Sequence, residues 1–192
     1  MGKFVFTGAN PSLDFTLCLN RDKQEITMGN AELKQADALG FRHAAARFTT
    51  GVTVITSRDP AGEIIGMTAN SFMTVSLAPP TVLVSVMNGR TLSAIKETGG
   101  FAINVLPAAA RDLSRHFAGN PVPGLSPRFE NVGGMPKLYE ALAYFDCRID
   151  KFITVEDHTL LVAKVLNCCH REDEAPLVFF SSQYHSLEKA VG

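Results

Sequence analysis

No excess of either charge marks this chain. Lys and Arg number 18, Asp and Glu 19, and the net charge is −1. No local basic cluster offsets that balance, so nothing favours nucleic acid or an anionic membrane as a partner. Apolar runs are short, and none approaches the ~18 residues of a membrane-spanning helix. Near the N-terminus, Lys3 and the brief patch Phe4–Phe6 lack the apolar core and small-residue site of a secretory signal. The expectation is a cytoplasmic protein. Cysteine is scarce as well: Cys18, Cys147, Cys168 and Cys169 form no Cys-x-x-Cys pair, and adjacent cysteines make poor chelates and strained disulfides. They are expected to be reduced and mostly buried thiols.

The usual catalytic signatures are missing too. Gly-x-Gly-x-x-Gly after a strand, Gly-x-x-x-x-Gly-Lys, His-Glu-x-x-His and Gly-x-Ser-x-Gly do not occur. The five histidines, His43, His116, His158, His170 and His185, are scattered without metal-binding spacing, so no metal site is expected. An enzyme built from this chain would draw its reactivity from a bound cofactor.

What is present fits one domain. With 192 residues, 46% hydrophobic and 19% charged, the chain can bury a single proper core. Residues 1–37 read as an N-terminal extension, with a strand-like alternation at Leu13, Phe15, Leu17 and Leu19 and a helix start near Asn30. Residues 38–192 read as the domain itself. Ala38–Thr50 carries a helical pattern broken by Thr49-Thr50-Gly51, and the β-branched run Val52–Ser57 follows as a strand. Asp59-Pro60-Ala61-Gly62 signals a turn into Ile64-Ile65. A helix is expected over Thr91–Thr98, stopped by Gly99-Gly100. Phe101–Leu106 reads as a strand, Ala108–Phe117 as a helix and Gly119–Pro127 as a surface loop and candidate flap. Ala141–Ile153, Thr159–Cys168 and Leu177–Phe180 complete a meander. Six or seven strands with two or three short helices predict a mainly β protein, an antiparallel barrel rather than a parallel α/β sheet.

The densest stretch is Gly66–Thr91. Small and hydroxyl-bearing residues open it (Thr68, Ala69, Asn70, Ser71), Pro79-Pro80 breaks it, and Val82–Met87 forms an apolar run. Asn88-Gly89-Arg90-Thr91 ends it at the start of a helix. Small residues admit a ligand close to the backbone, and an arginine at a helix start can hold an anion. Two strands joined by a proline turn would leave the same pattern.

Taken in order, RFTTGVTVIT (Arg47–Thr56), GMTANSFMTVSLAPPTVLVSV (Gly66–Val86), Arg90-Thr91, FAINVL and Asp157-His158-Thr159 resemble the short-chain NAD(P)H:flavin oxidoreductases. These are the reductase components of two-component flavin monooxygenases, with an FMN-binding, Greek-key split β-barrel. The resemblance runs from about Phe41 to Ser186. It implies FMN, or FAD, as the bound flavin, and NADH or NADPH as hydride donor. It also implies a homodimer and an oxygenase component that receives reduced flavin. Met67, Thr68, Ala69, Asn70 and Ser71 match the cradle for the flavin ring and ribityl chain. Ser85, Val86 and Met87 match the strand end beside the ring, and Arg90 and Thr91 the phosphate-binding positions. Asn88 is a ligand or a helix cap. Phe101 borders the flavin or fills the barrel, and Tyr184 matches an aromatic near the mouth of the site. His158 matches the histidine of Gly-Asp-His-Thr, near the nicotinamide, although Glu156 stands where the family has glycine. Two other readings stay open: a flavin-dependent reductase of corrin cobalt or a ferric chelate, and a flavin-binding module without catalysis.

Overall fold

The computed structural model describes residues 35–172 and 174–187. The alternation at Leu13–Leu19 and the helix start at Asn30 lie outside them. Helix α1 (Ala38–Ala45) opens on Asp37, whose carboxylate accepts from the Gly40 N–H at 2.7 Å, an ordinary N-cap. It buries no residue and ends five residues before Thr50, short of the Ala38–Thr50 expected.

Strands β1 (Thr50–Gly51), β2 (Thr53–Arg58), β3 (Ile64–Ala69), β4 (Met73–Leu77) and β5 (Pro80–Met87) follow. Helix α2 spans Arg90–Thr98, and Gly99 stops it at φ +69°, a left-handed turn that glycine adopts without strain. After β6 (Gly100–Val105) comes a short 3₁₀ turn at Ala108–Ala110, then α3 (Arg111–Phe117). The chain continues through β7 (Phe129–Glu130), β8 (Lys137–Leu138), β9 (Ala143–Val155), β10 (His158–His170), β11 (Leu177–Phe180) and β12 (Gln183–Ser186).

Seven strands form one antiparallel sheet in the order β3-β2-β6-β9-β10-β5-β4. A smaller sheet, β1-β11-β12, stands apart from it. The sheet curls until β3 approaches β5 without pairing with it, so the barrel is split along that seam. Two apolar clusters lie on opposite sides of β2. Ile55 joins Val84, Val86, Phe101, Ile103 and Leu161 inside the barrel, closed by Leu92 and Ile95 of α2. Val54 joins Val52, Leu106, Leu113, Leu138 and Leu177 outside it. Burial on both faces explains why Val52–Ser57 reads as a nearly continuous apolar and β-branched run rather than an alternation.

Buried polar groups in this core are matched. The Asn104 amide donates to Val54 O at 3.1 Å and Thr56 Oγ1 at 3.0 Å, while its oxygen accepts from the Leu138 N–H at 2.8 Å. Asp146 accepts from the Gly134 N–H at 2.8 Å and from the Asn167 amide at 3.3 Å. A Cβ at Gly133 would stand 2.8 Å from both Asp146 Oδ2 and the Tyr144 hydroxyl, so only glycine allows the loop to close there. Burial first, and the Asp146 charge second, push the Cys147 thiol up to about 12; the same two causes raise the Tyr144 phenol.

Cysteine exposure departs from expectation. Cys147 is buried, but Cys168 and Cys169 are exposed, because β10 runs past the end of the covered sheet before it stops at His170. The meander also carries a strand that sequence patterning does not reveal, β12. Its turn, Ser181-Ser182, takes positive φ at both residues (50° and 61°), a conformation usually signalled by Gly or Asn.

Candidate functional site

The seam between β3 and β5 is fixed by hydroxyls. Ser71 Oγ donates to the Ser85 carbonyl at 2.8 Å and accepts from the Ser85 N–H at 3.1 Å. Thr68 Oγ1 donates to the Ser114 carbonyl at 2.7 Å, tying β3 to α3. Both hydroxyls are therefore engaged with the backbone. Gly66 is also accounted for by packing: a Cβ there would come within 3.1 Å of the Phe117 ring and the Ile55 carbonyl. Its smallness admits α3, not a ligand.

Beside the seam lies a cavity of about 630 Å³. Its lining draws Asn70, Ser71, Phe72, Met73 and Leu83 from the β3–β5 region and Phe48, Thr49 and Thr50 from the α1–β1 segment. That lining, mainly apolar with a few hydroxyls and one amide, suits a flat aromatic ring with a polar edge. The α1–β1 segment was not among the site residues expected from sequence. The signal was present, since RFTTG belongs to the resemblance, but hydroxyls ahead of a strand read equally well as a helix stop.

Register then shows which side chains share that face. His158 pairs with Met87 on β5 and with Val155 on β9, and Leu160 pairs with Ser85 and Ile153. Directly paired residues point to the same side of a sheet. Ser85, Met87 and His158 thus stand together on the outer face, with Met87 half exposed at 53%. Val84 and Val86 alternate to the interior at 0% exposure.

His158 opens β10 straight after the hairpin turn Glu156-Asp157. Its Nδ1 lies 2.7 Å from Asp157 Oδ1, and that hydrogen bond, reinforced by the histidine's charge, holds the Asp157 carboxyl below the usual carboxylate range. Glu156 adopts φ +50°, the left-handed geometry that a glycine would take freely. The departure at 156 leaves the turn in place at the cost of strain. The Asn88 N–H donates to the Asp157 carbonyl at 3.3 Å, fastening the turn to the end of β5.

Of the two roles weighed for Asn88, helix cap does not apply, because Gly89 occupies the N-cap of α2 and no side chain caps that end. Arg90 is exposed at the uncapped end, in a depression of about 240 Å³ bordered by Ile65, Asp59 and Glu97. Arg90 and Ile65 line this depression, which shares no lining residue with the cavity beside Ser71. Thr91 is buried to 7% exposure, as is Ala69 to 8%. Met67 is half-buried and packs against the interior cluster. Phe101, at 0%, fills the barrel and has no surface to offer a ligand.

Tyr184 sits elsewhere. Its hydroxyl is 2.8 Å from Ser114 Oγ, and the Arg111 guanidinium lies 5.7 Å from its ring centre. It lines two depressions that share Arg111, neither of which includes Asn70 or Ser71. The Gly119–Pro127 loop is anchored rather than free along its length: the Val122 N–H donates to His116 Nδ1 at 3.4 Å, and Leu125 packs on the outer cluster. Among the described residues no group of His, Cys, Asp and Glu could hold a metal, and no helix is long and apolar enough to cross a membrane.

Comparison with known proteins decides the family. Residues 45–188 match the flavin reductase like domain. This chain belongs to the flavin reductase family. The NADH-dependent flavin reductase StyB of Pseudomonas fluorescens is 39% identical over 152 residues, covering 78% of this chain and 89% of that protein. The FMN reductase (NADH) SmoA of Agrobacterium fabrum is 43% identical over 141 residues, covering 72% and 80%. Among solved structures, flavin reductase PheA2 superposes with a TM-score of 0.76 at 39% identity, covering 80% of this chain and all of that one. The styrene monooxygenase flavin reductase of Pseudomonas putida S12 gives 0.74 at 36%, covering 79% and 99%. The split barrel is thus the family's fold, as the ordered motifs implied.

Proposed function

We propose that this family member uses NADH to reduce FMN, FAD being the second choice, and releases reduced flavin to an oxygenase component. The observation that carries this reading is the family match, with relatives of nearly 40% identity named as NADH-dependent flavin reductases. A bound flavin would supply the hydride-accepting chemistry, with the nicotinamide as donor. The chain's own residues position and shield. Asn70 and Ser71, which line the cavity, would border the ring together with Ser85 and Met87 of the neighbouring strand end, and the backbone of Thr68–Ser71 would supply its polar contacts. The residues fit such a ring, because the cavity beside Ser71 is roomy, largely apolar and edged with hydroxyls.

Arg90 and the uncapped start of α2 would hold the phosphate, with charge and helix dipole acting in the same direction. His158, aimed on the outer face by Asp157, would border the nicotinamide. Positioning and exclusion of water do most of the work here, and no acid–base group is required. Met73, Met87, Ile153 and Val155 are exposed apolar side chains, a surface that the second copy in a homodimer would cover. The domain assignment, 38–192 with an extension at 1–37, and a cytoplasmic site of action belong to the same reading. Exposed Cys168 and Cys169 suit a reducing compartment.

The test is NADH consumption by the purified chain with and without added FMN or FAD. Turnover that depends on flavin is expected; a rate no higher than background with either flavin rejects the reading. Ferric chelates and a corrin substrate, supplied in place of flavin, should give slower turnover.

A further inference from the structure

Two buried side-chain oxygens among the described residues lack any hydrogen-bond partner, Thr50 Oγ1 and Glu140 Oε2. Glu140 is held by Arg128 through its other oxygen, which accepts at 2.9 Å, so its deficit is partial. Thr50 is different, because its single hydroxyl is wholly unsatisfied. It opens β1, its backbone paired with Phe179 of β11, and its side chain belongs to the wall of the cavity that holds Asn70 and Ser71.

Nothing in the fold calls for that hydroxyl. Valine has the same shape and a good strand propensity, and it would bury no unpaired polar atom. The segment before it is fixed without reference to any ligand. The Ser181 N–H donates to the Ala46 carbonyl at 2.9 Å, Arg47 donates to Ser181 Oγ at 3.1 Å, and the Arg47 guanidinium lies 6.0 Å from the Phe180 ring centre. The β11–β12 turn therefore holds Thr50 at the cavity wall in advance. The hydroxyl oxygen itself is closed off in the free protein, so reaching a ligand in the cavity would take a turn about the Cα–Cβ bond from one staggered well to another.

We infer that Thr50 is a ligand-binding residue of this cavity, whose hydroxyl hydrogen-bonds the carbonyl and imide edge of the flavin ring. The inference rests on the flavin reading of the cavity and adds to it a wall, the α1–β1 segment, that neither the motifs nor the relatives' names assign. A buried hydroxyl without a partner lowers stability in the free protein and is recovered when the ring arrives.

The experiment compares the full chain with Thr50→Val and Thr50→Ser. Binding of FMN and of lumiflavin, the ring without its ribityl phosphate, is followed by fluorescence quenching, and thermal unfolding is measured without flavin. Thr50→Val is expected to weaken both flavins about tenfold, the worth of one hydrogen bond in a dry site. Thr50→Ser should stay within about twofold, since it keeps the hydroxyl. The flavin-free valine variant should melt about 2–4 °C higher, having lost an orphan polar atom. Wild-type affinity in Thr50→Val overturns the inference, as does a loss confined to FMN. A valine variant that melts lower while the serine variant also loses binding assigns Thr50 to packing. A wild-type chain that quenches neither flavin sinks the flavin reading itself and takes this inference with it.

Discussion

The Ser71 hydroxyl grips the backbone of Ser85 from both sides, donating to its carbonyl and accepting from its N–H. One small side chain thereby does what a ladder of hydrogen bonds does elsewhere in the sheet, holding β5 beside the end of β3 where the two strands do not pair.

Removing that grip should loosen the seam. Ser71→Ala loses two hydrogen bonds and is expected to cost about 1–2 kcal/mol in chemical denaturation. Flavin affinity should fall severalfold alongside it. A variant as stable as the parent would show that the seam is held by packing alone.

Arg90 separates charge from ring. Arg90→Ala should weaken FMN by about tenfold or more and leave riboflavin, which lacks the phosphate, unchanged. Arg90→Lys should recover only part of the loss, because a lysine cannot reproduce the guanidinium fork. Equal weakening of both flavins in a titration would remove Arg90 from the phosphate role.

Glu156 carries a backbone conformation that suits glycine. A left-handed non-glycine residue costs roughly 1–2 kcal/mol, against which glycine adds about 0.4–1 kcal/mol of unfolded-state entropy. Glu156→Gly should therefore stabilise by about 0.5–1 kcal/mol, visible as a rise in melting temperature. A fall in melting temperature would mean that the Glu156 side chain makes a contribution larger than the strain.

Cys147 ties stability to alkaline pH. Its folded thiol is raised to about 12 from an ordinary value of 9.0, so unfolding releases a proton in the window between them. The stability held below pH 9 is lost as pH climbs towards 12. Cys147→Ala should flatten that decline in melting experiments, leaving the part due to Tyr144. Mass mapping after brief alkylation of the native chain should find Cys168 and Cys169 modified and Cys147 protected.

Much of the β framework could be read directly from the chain. The β4–β5 pair was written by Pro79-Pro80, α2 by Arg90-Thr91 and its glycine stop, and β2 by its β-branched run. What stayed hidden depended on contacts between distant residues. β12 exists because β11 offers it an edge, and its Ser181-Ser182 turn carries no glycine. The need for glycine at 66 is set by Phe117, fifty-one positions on, whose ring would meet any Cβ there. Thr50 read as part of a helix stop, and its place in the lining of the cavity that includes Asn70 emerges from the fold alone. Phe101 was divisible between barrel and ligand on sequence grounds, and burial settled its surroundings.

The interior of the barrel is full, with Val84, Val86, Phe101 and Leu161 all at 0% exposure. Among the described residues, the room for a guest molecule lies on the outer wall. Positions that keep the chain folded and positions that greet a ligand are therefore largely separate populations. Rim residues such as Phe48, Asn70 and Met87 can thus be exchanged to suit a different guest without disturbing the packed interior.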